Sequence, residues 1–252
     1  MLTSPRGQRF GKPRPPRPFR RFALRLLRLI IVLIILLFLI SGLLIDTYEV
    51  GSAAMEPQIF LGERLLATPV VFGAYLPGVD RRLPSFREPQ RGDVVTVSPP
   101  FLGESGFLTR IGRALLDVPM GRRAGNPLDD PADWASLSIR RVIAVPGDTV
   151  RMDDFTFYVR TDEGEPFVNE FELSPQGYDV RIEQLPAGWR SSHPLAGEME
   201  QVTLGEDEYF VAGDNRGVAL DSRDYGVVDF RDIRSLVLMR YWPFGRFGRL
   251  GP

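Results

Sequence analysis

The chain has 252 residues, 44% of them hydrophobic and 25% charged, a globular composition that excludes disorder throughout and leaves room for one sizeable domain plus an attachment. Its net charge of −1 conceals an asymmetry: residues 1–28 carry nine basic side chains and no acid, so the remainder is acidic by ten charges. Cysteine is absent, which excludes disulfides, thiolate metal sites and a cysteine nucleophile, while histidine and lysine occur once each, as His193 and Lys12.

Residues 1–21 hold scattered arginines and five prolines and read as a disordered cytoplasmic tail in reach of anionic lipid, with no nucleic-acid partner expected. Residues 22–45 read as a single transmembrane helix. The uncharged run LIIVLIILLFLISGLLI spans about 25 Å as a helix, and the preceding FALRLLR extends it because arginine stems snorkel. Nine positive charges before it, with Asp46 and Glu49 after it, place the N-terminus in the cytoplasm and residues 46–252 outside the cytoplasmic membrane. A cleavable signal peptide is the competing reading, with Ser52-Ala53-Ala54 as small residues at a cleavage site. The charged region is long for one, and the apolar run exceeds the usual 7–15 residues.

Beyond residue 46 the apolar signal comes in short β-rich runs: DVVTV at 93–97, LSIRRVIAV at 137–145, TFYVR at 156–160, YFVAG at 209–213 and SLVLMRYW at 235–242. The fold class is therefore mainly β, a barrel or sandwich. VPGDTV at 145–150 reads as a tight strand connection, with Pro146 presetting φ and Gly147 free to take a positive one. The spacing of apolar residues in 107–118 predicts a short amphipathic helix, and the Gly-, Pro- and acid-rich residues 161–200 predict a loop-rich insertion.

Four stretches carry a resemblance: GSAAMEPQ and its continuation from residue 51, RGDVVTV at 91–97, RRVIAVPGDTV at 140–150 and GDNRGVALDSRDYG at 213–226. In order and spacing they resemble the four boxes of the bacterial type I signal peptidases. The resemblance implies a membrane-anchored serine endopeptidase with a β-rich domain that trims signal peptides from exported proteins. It also implies a nucleophilic serine in the first box, a lysine base opening the third, a lysine-orienting serine in the fourth, and an oxyanion hole formed by the first serine of the first box.

Carried over position by position, the chemistry is missing. The nucleophile position is Ala54, the base position Arg140 and the lysine-orienting position Ala219. Ser52 remains at the oxyanion-hole position, Met55 and Pro57 remain beside it, and Asp221 and Arg223 of the structural DSR are kept. A methyl group offers nothing to activate, and a guanidinium, with a pKa near or above 12, does not deputise for a lysine whose pKa burial can lower. Lys12 precedes the membrane segment, so no displaced lysine restores the dyad.

Some residues carry more than one reading. Arg140 is either a drifted lysine or a fork binding a carboxylate such as Asp221 or a peptide carbonyl. Ser52 is either a turn residue or a donor still aimed at a carbonyl. Asp221 with Arg223 reads as a structural ion pair, and Asp148 and Asp214, each after a glycine, as turn residues. No acidic or imidazole cluster has metal-ligand spacing, so neither metal nor cofactor is expected.

The leading expectation is an inactive homologue that binds signal-peptide-bearing exported chains or regulates an active paralogue. The rivals are a peptidase working through Ser52 or His193 and a structural membrane protein with a closed groove.

Overall fold

A computed structural model of the chain describes residues 18–39, 44–73, 82–98, 122–124, 138–175, 177–182 and 196–250. The expected helix at 107–118, His193 and Lys12 lie outside these residues. The chain divides into two units, residues 1–38 and 39–252.

The first unit contains all but the last residue of the α-helix α1, Pro18–Leu39. Its described apolar side chains, among them Phe22, Leu29, Val32 and Leu36, are exposed. Among the described residues no helix is long and apolar enough to cross a membrane.

The second unit is built of strands: β1 Asp46–Val50, β2 Arg64–Thr68, β3 Val94–Val97, β4 Arg122–Ala124, β5 Ser138–Ala144, β6 Thr149–Asp153, β7 Thr156–Arg160, β8 Val168–Asn169, β9 Met199–Thr203, β10 Glu208–Ala212, β11 Val228–Asp229, β12 Ile233–Trp242 and β13 Gly248–Arg249. Among the described residues they form a nine-stranded sheet in the order β11-β10-β5-β3-β12-β2-β1-β4, with β13 beside β12, and a four-stranded sheet in the order β8-β7-β6-β9. Every pairing in the large sheet is antiparallel except that of β4, which lies parallel to β1.

Burial follows the sequence pattern. Strands β1 and β7 alternate buried and half-buried residues, as strands with one face on a core do, whereas β3 and β5 are buried at every position. Both are central in the sheet order. Val50, Val94, Ile139 and Val237 share one core with Met55 and Ile59 from the first box, so the loop after β1 is tied to the sheet by its own apolar residues. A second core gathers Phe72, Val95, Val142, Tyr209 and Val211, and a third joins the two sheets through Ile143, Val150, Phe157 and Phe210.

The turn between β5 and β6 has Gly147 at φ +86°, and the Asp148 carboxylate accepts the Val145 amide at 2.8 Å, closing it. The described residues of 161–200 include regular elements. They supply β8, a one-turn helix at Glu170–Leu173 capped by Asn169, and the start of β9, all within or against the small sheet. Gly and Pro frame these pieces but do not prevent them, because strands of two to five residues need only the partner that β6 and β7 provide.

Candidate functional site

The first box leaves β1 at Gly51 and turns immediately. Glu56 N–H donates to the Ala53 carbonyl at 3.1 Å and Ile59 N–H to the Met55 carbonyl at 2.8 Å, while the Glu56–Pro57 peptide is cis. Met55 and Ile59 point into the core, which fixes the loop and leaves Ala54 facing the fourth box. Asn215 N–H donates to the Ala54 carbonyl at 3.0 Å. A side chain at Gly213 would put its Cβ 2.2 Å from the Ala219 methyl and 2.6 Å from the Ala54 carbonyl oxygen, so the two loops touch there and only glycine fits.

Ala54 and Ala219, at 1% and 0% exposure, both lie inside this contact. Ser52 is also buried, and its Oγ accepts the Ala54 N–H at 3.5 Å, a long contact that turns the two groups toward each other. This is the turn-residue geometry. The family arrangement would instead have both groups donate to a substrate oxygen.

Arg140 lies in β5, one residue from Arg141, and strand alternation sends the two guanidinium groups in different directions. The Arg140 fork closes on a peptide carbonyl: Nε and Nη2 donate to the Leu220 oxygen at 3.0 and 2.6 Å, and Nη1 donates to the Ile139 oxygen at 2.6 Å. The fork is engaged with peptide carbonyls. One of its partners, the Leu220 carbonyl, is next to Ala219.

Asp221 caps the short helix Ser222–Tyr225 and accepts from Gly213 N–H at 2.9 Å and from Arg223 at 2.8 and 3.0 Å. Burial pushes its carboxyl up, but the Arg223 guanidinium, these hydrogen bonds and the more remote Arg140 outweigh burial and hold it below the usual carboxylate range. Arg223 also donates to the Arg216 and Ala219 carbonyls at 3.0 and 3.1 Å, so this ion pair sets the path of the whole GDNR-to-DSR loop.

Asp214 proves to be more than a turn residue. Its carboxylate accepts a bidentate pair from Arg141 at 2.8 and 2.6 Å, with both side chains buried. Arg141 also lies over the Tyr178 ring at 3.9 Å, and the Tyr178 hydroxyl donates to Glu170 at 2.5 Å. The same Glu170 oxygen takes Arg216 Nη2 at 2.5 Å, and Arg216 Nη1 reaches the Gly213 carbonyl at 2.7 Å. Burial works against the charge on Arg216, yet Glu170 together with Tyr178, Asp214 and Asp221 more than compensates and raises its pKa. Burial next to Glu170 raises that of Tyr178.

A strap lies over the fourth box. Arg181 N–H donates to the Asp214 carbonyl at 2.9 Å, Arg216 N–H donates back to the Arg181 carbonyl at 2.8 Å, and Arg181 Nη1 reaches Glu56 of the first box at 2.6 Å. Sequence reasoning missed Arg141, Glu170, Tyr178, Arg181 and Arg216. One signal was available: a charge inside an apolar strand, such as Arg141 in SIRRVIA, requires a buried partner.

A cavity of about 540 Å³ opens elsewhere, lined by Glu88, Pro89, Gln90, Arg91, Val145, Leu173 and Pro175, with none of Ala54, Arg140 or Ala219 in its wall. Among the described residues no group of His, Cys, Asp and Glu side chains forms a metal cluster.

Comparison with known proteins gives this geometry a family. Residues 23–242 match signal peptidase, peptidase S26. The chain belongs to the signal peptidase I family. Signal peptidase IB of Staphylococcus aureus is 32% identical over 132 residues, which is 50% of this chain and 64% of that protein, so the match spans less than two thirds of that relative. The probable signal peptidase I-1 of Synechocystis is 26% identical over 203 residues, covering 80% of this chain and 74% of its own length. A crystal structure of a signal peptidase I from Enterococcus faecalis is 18% identical, with a TM-score of 0.32, and covers 60% of this chain and 97% of its own.

Proposed function

We propose that this chain is a pseudoprotease: a signal peptidase I homologue that holds exported chains by their signal-peptide region and does not cut them. The observation that carries the reading is the buried Ala54–Gly213–Ala219 contact beside Arg140, whose fork is engaged with the Leu220 carbonyl. Peptide hydrolysis by this route needs a hydroxyl and a group that takes its proton. A methyl group and a guanidinium supply neither.

Recognition has different requirements. An extended segment pairing with a sheet edge uses backbone groups and shallow pockets, and the loop that would flank it is held in shape by Met55, Ile59 and Asp221. Attachment to the cytoplasmic membrane, with the N-terminus inside and residues 46–252 outside, belongs to the same proposal. It is supported by the uncharged residues 29–45 and the basic charge before them.

The test is capture. Full-length protein in detergent is mixed with a precursor carrying a photo-crosslinker in its signal peptide. Uncut precursor joined to the protein is the expected result. Absence of any crosslink would refute the binding role, and product that persists after removal of contaminating peptidase would refute the loss of catalysis.

A further inference from the structure

The large sheet ends in a strand that contributes little to it. β1 pairs on its inner side with β2 through Asp46–Glu49, and its buried Tyr48 and Val50 tie it to the core. On its outer side lies β4, three residues long, with Tyr48, Glu49 and Val50 opposite Arg122, Arg123 and Ala124. The sequence Arg-Arg-Ala has no β-branched or aromatic residue and so has weak intrinsic preference for a strand.

Direction adds to this. β4 runs parallel to β1, so its last residue, Ala124, sits opposite Val50, at the point where the chain turns into the loop of Ser52 and Ala54. An extended peptide on that edge would use the same backbone groups of residues 48–50 and would lead straight to that loop.

We infer that Arg122–Ala124 is an internal occupant of the peptide-binding edge, so that an exported segment pairs with β1 only when β4 leaves it. This rests on the binding role proposed above and adds its regulation: the chain competes with its own ligand. A competitor in place nine-tenths of the time lowers the apparent affinity about tenfold, and removing it restores that factor.

Two variants test this, with the same photo-crosslinking precursor as probe. Arg122→Pro combined with Ala124→Pro removes two amide donors from β4. It is expected to raise precursor affinity about tenfold, with the remaining Arg123 amide exchanging freely and those of Tyr48–Val50 exchanging faster until precursor is added. Glu49→Cys combined with Arg123→Cys places two thiols on paired residues of a chain that has no other cysteine, so one crosslink alone can form. Oxidation is expected to lower capture about tenfold or more, and dithiothreitol to restore it.

Capture that is unchanged when the disulfide is shown by mass to be closed would overturn the internal-occupant proposal and leave the binding role standing. No capture by any form, including the proline variant with a freely exchanging Arg123 amide, would overturn both.

Discussion

Replacing Glu170 by Gln should be among the most damaging single changes in the domain, although the residue belongs to none of the four boxes. Its side chain is 1% exposed and serves three donors: Phe157 N–H at 3.0 Å, the Tyr178 hydroxyl at 2.5 Å and Arg216 Nη2 at 2.5 Å. Glutamine keeps the size but removes the charge, leaving the buried guanidinium of Arg216 without its counter-ion. Breaking a buried pair from one side costs about 3–5 kcal/mol.

At about 2–4 °C per kcal/mol for a domain of this size, the melting temperature should fall by roughly 6–20 °C. The loss should reach the first box, because Arg216 also holds the Gly213 carbonyl and the next amides of that loop hold Ala54. Thermal unfolding followed by circular dichroism gives the magnitude, and hydrogen exchange at the Asn215 amide gives the local effect. The double change Glu170→Leu with Arg216→Met should cost less than Glu170→Gln alone, since it removes both charges. A melting temperature within about 3 °C of wild type for Glu170→Gln would refute the reasoning, because no stranded charge costs so little at that burial.

Further outcomes follow from the same contacts. Asp221 has a depressed folded-state pKa, so its stabilisation is fully present above about pH 4 and is lost as pH falls through the lower folded value. Asp221→Asn should therefore cost about 3–5 kcal/mol near neutral pH, with the gap to wild type narrowing below pH 4 in urea titrations. Gly213→Ala should destabilise by about 1–3 kcal/mol or more, through a Cβ 2.2 Å from Ala219 and 2.6 Å from the Ala54 carbonyl, read from the urea midpoint. Ala54→Ser alone should leave precursor uncut by mass spectrometry, because a hydroxyl beside Arg140 still has no proton acceptor in the dyad position.

The strands that the sequence reveals are those whose apolar runs are continuous or strictly alternating. TFYVR at 156–160 coincides with β7, and LSIRRVIAV overlaps β5 with one residue to spare at each end. β1 and β2 escaped notice because DTYEV and RLLAT each mix charged and apolar residues over five positions, and β8, β11 and β13 are two residues long. Such strands are made by their neighbours.

At the site, the boxes identify which loops meet, and the residue types at 54, 140 and 219 identify which groups are absent. The partners are another matter. That Arg140 closes on the Leu220 carbonyl, that Asp214 belongs to Arg141, and that Glu170 joins Tyr178 and Arg216 are consequences of tertiary packing between residues 46 to 80 positions apart, or of a helix within 161–200 that composition obscured. Buried charge in apolar context announced the need for a partner without naming it.

The central claim is loss of catalysis in a retained scaffold, and turnover tests it most directly. Purified full-length protein, free of contaminating peptidase, is incubated in detergent with a signal-peptide-bearing precursor beside an active signal peptidase I, and products are identified by mass spectrometry. The account predicts mature product from the active enzyme and intact precursor from this chain. Mature product from this chain, cut at the signal site and abolished by Ser52→Ala or His193→Ala, would contradict it.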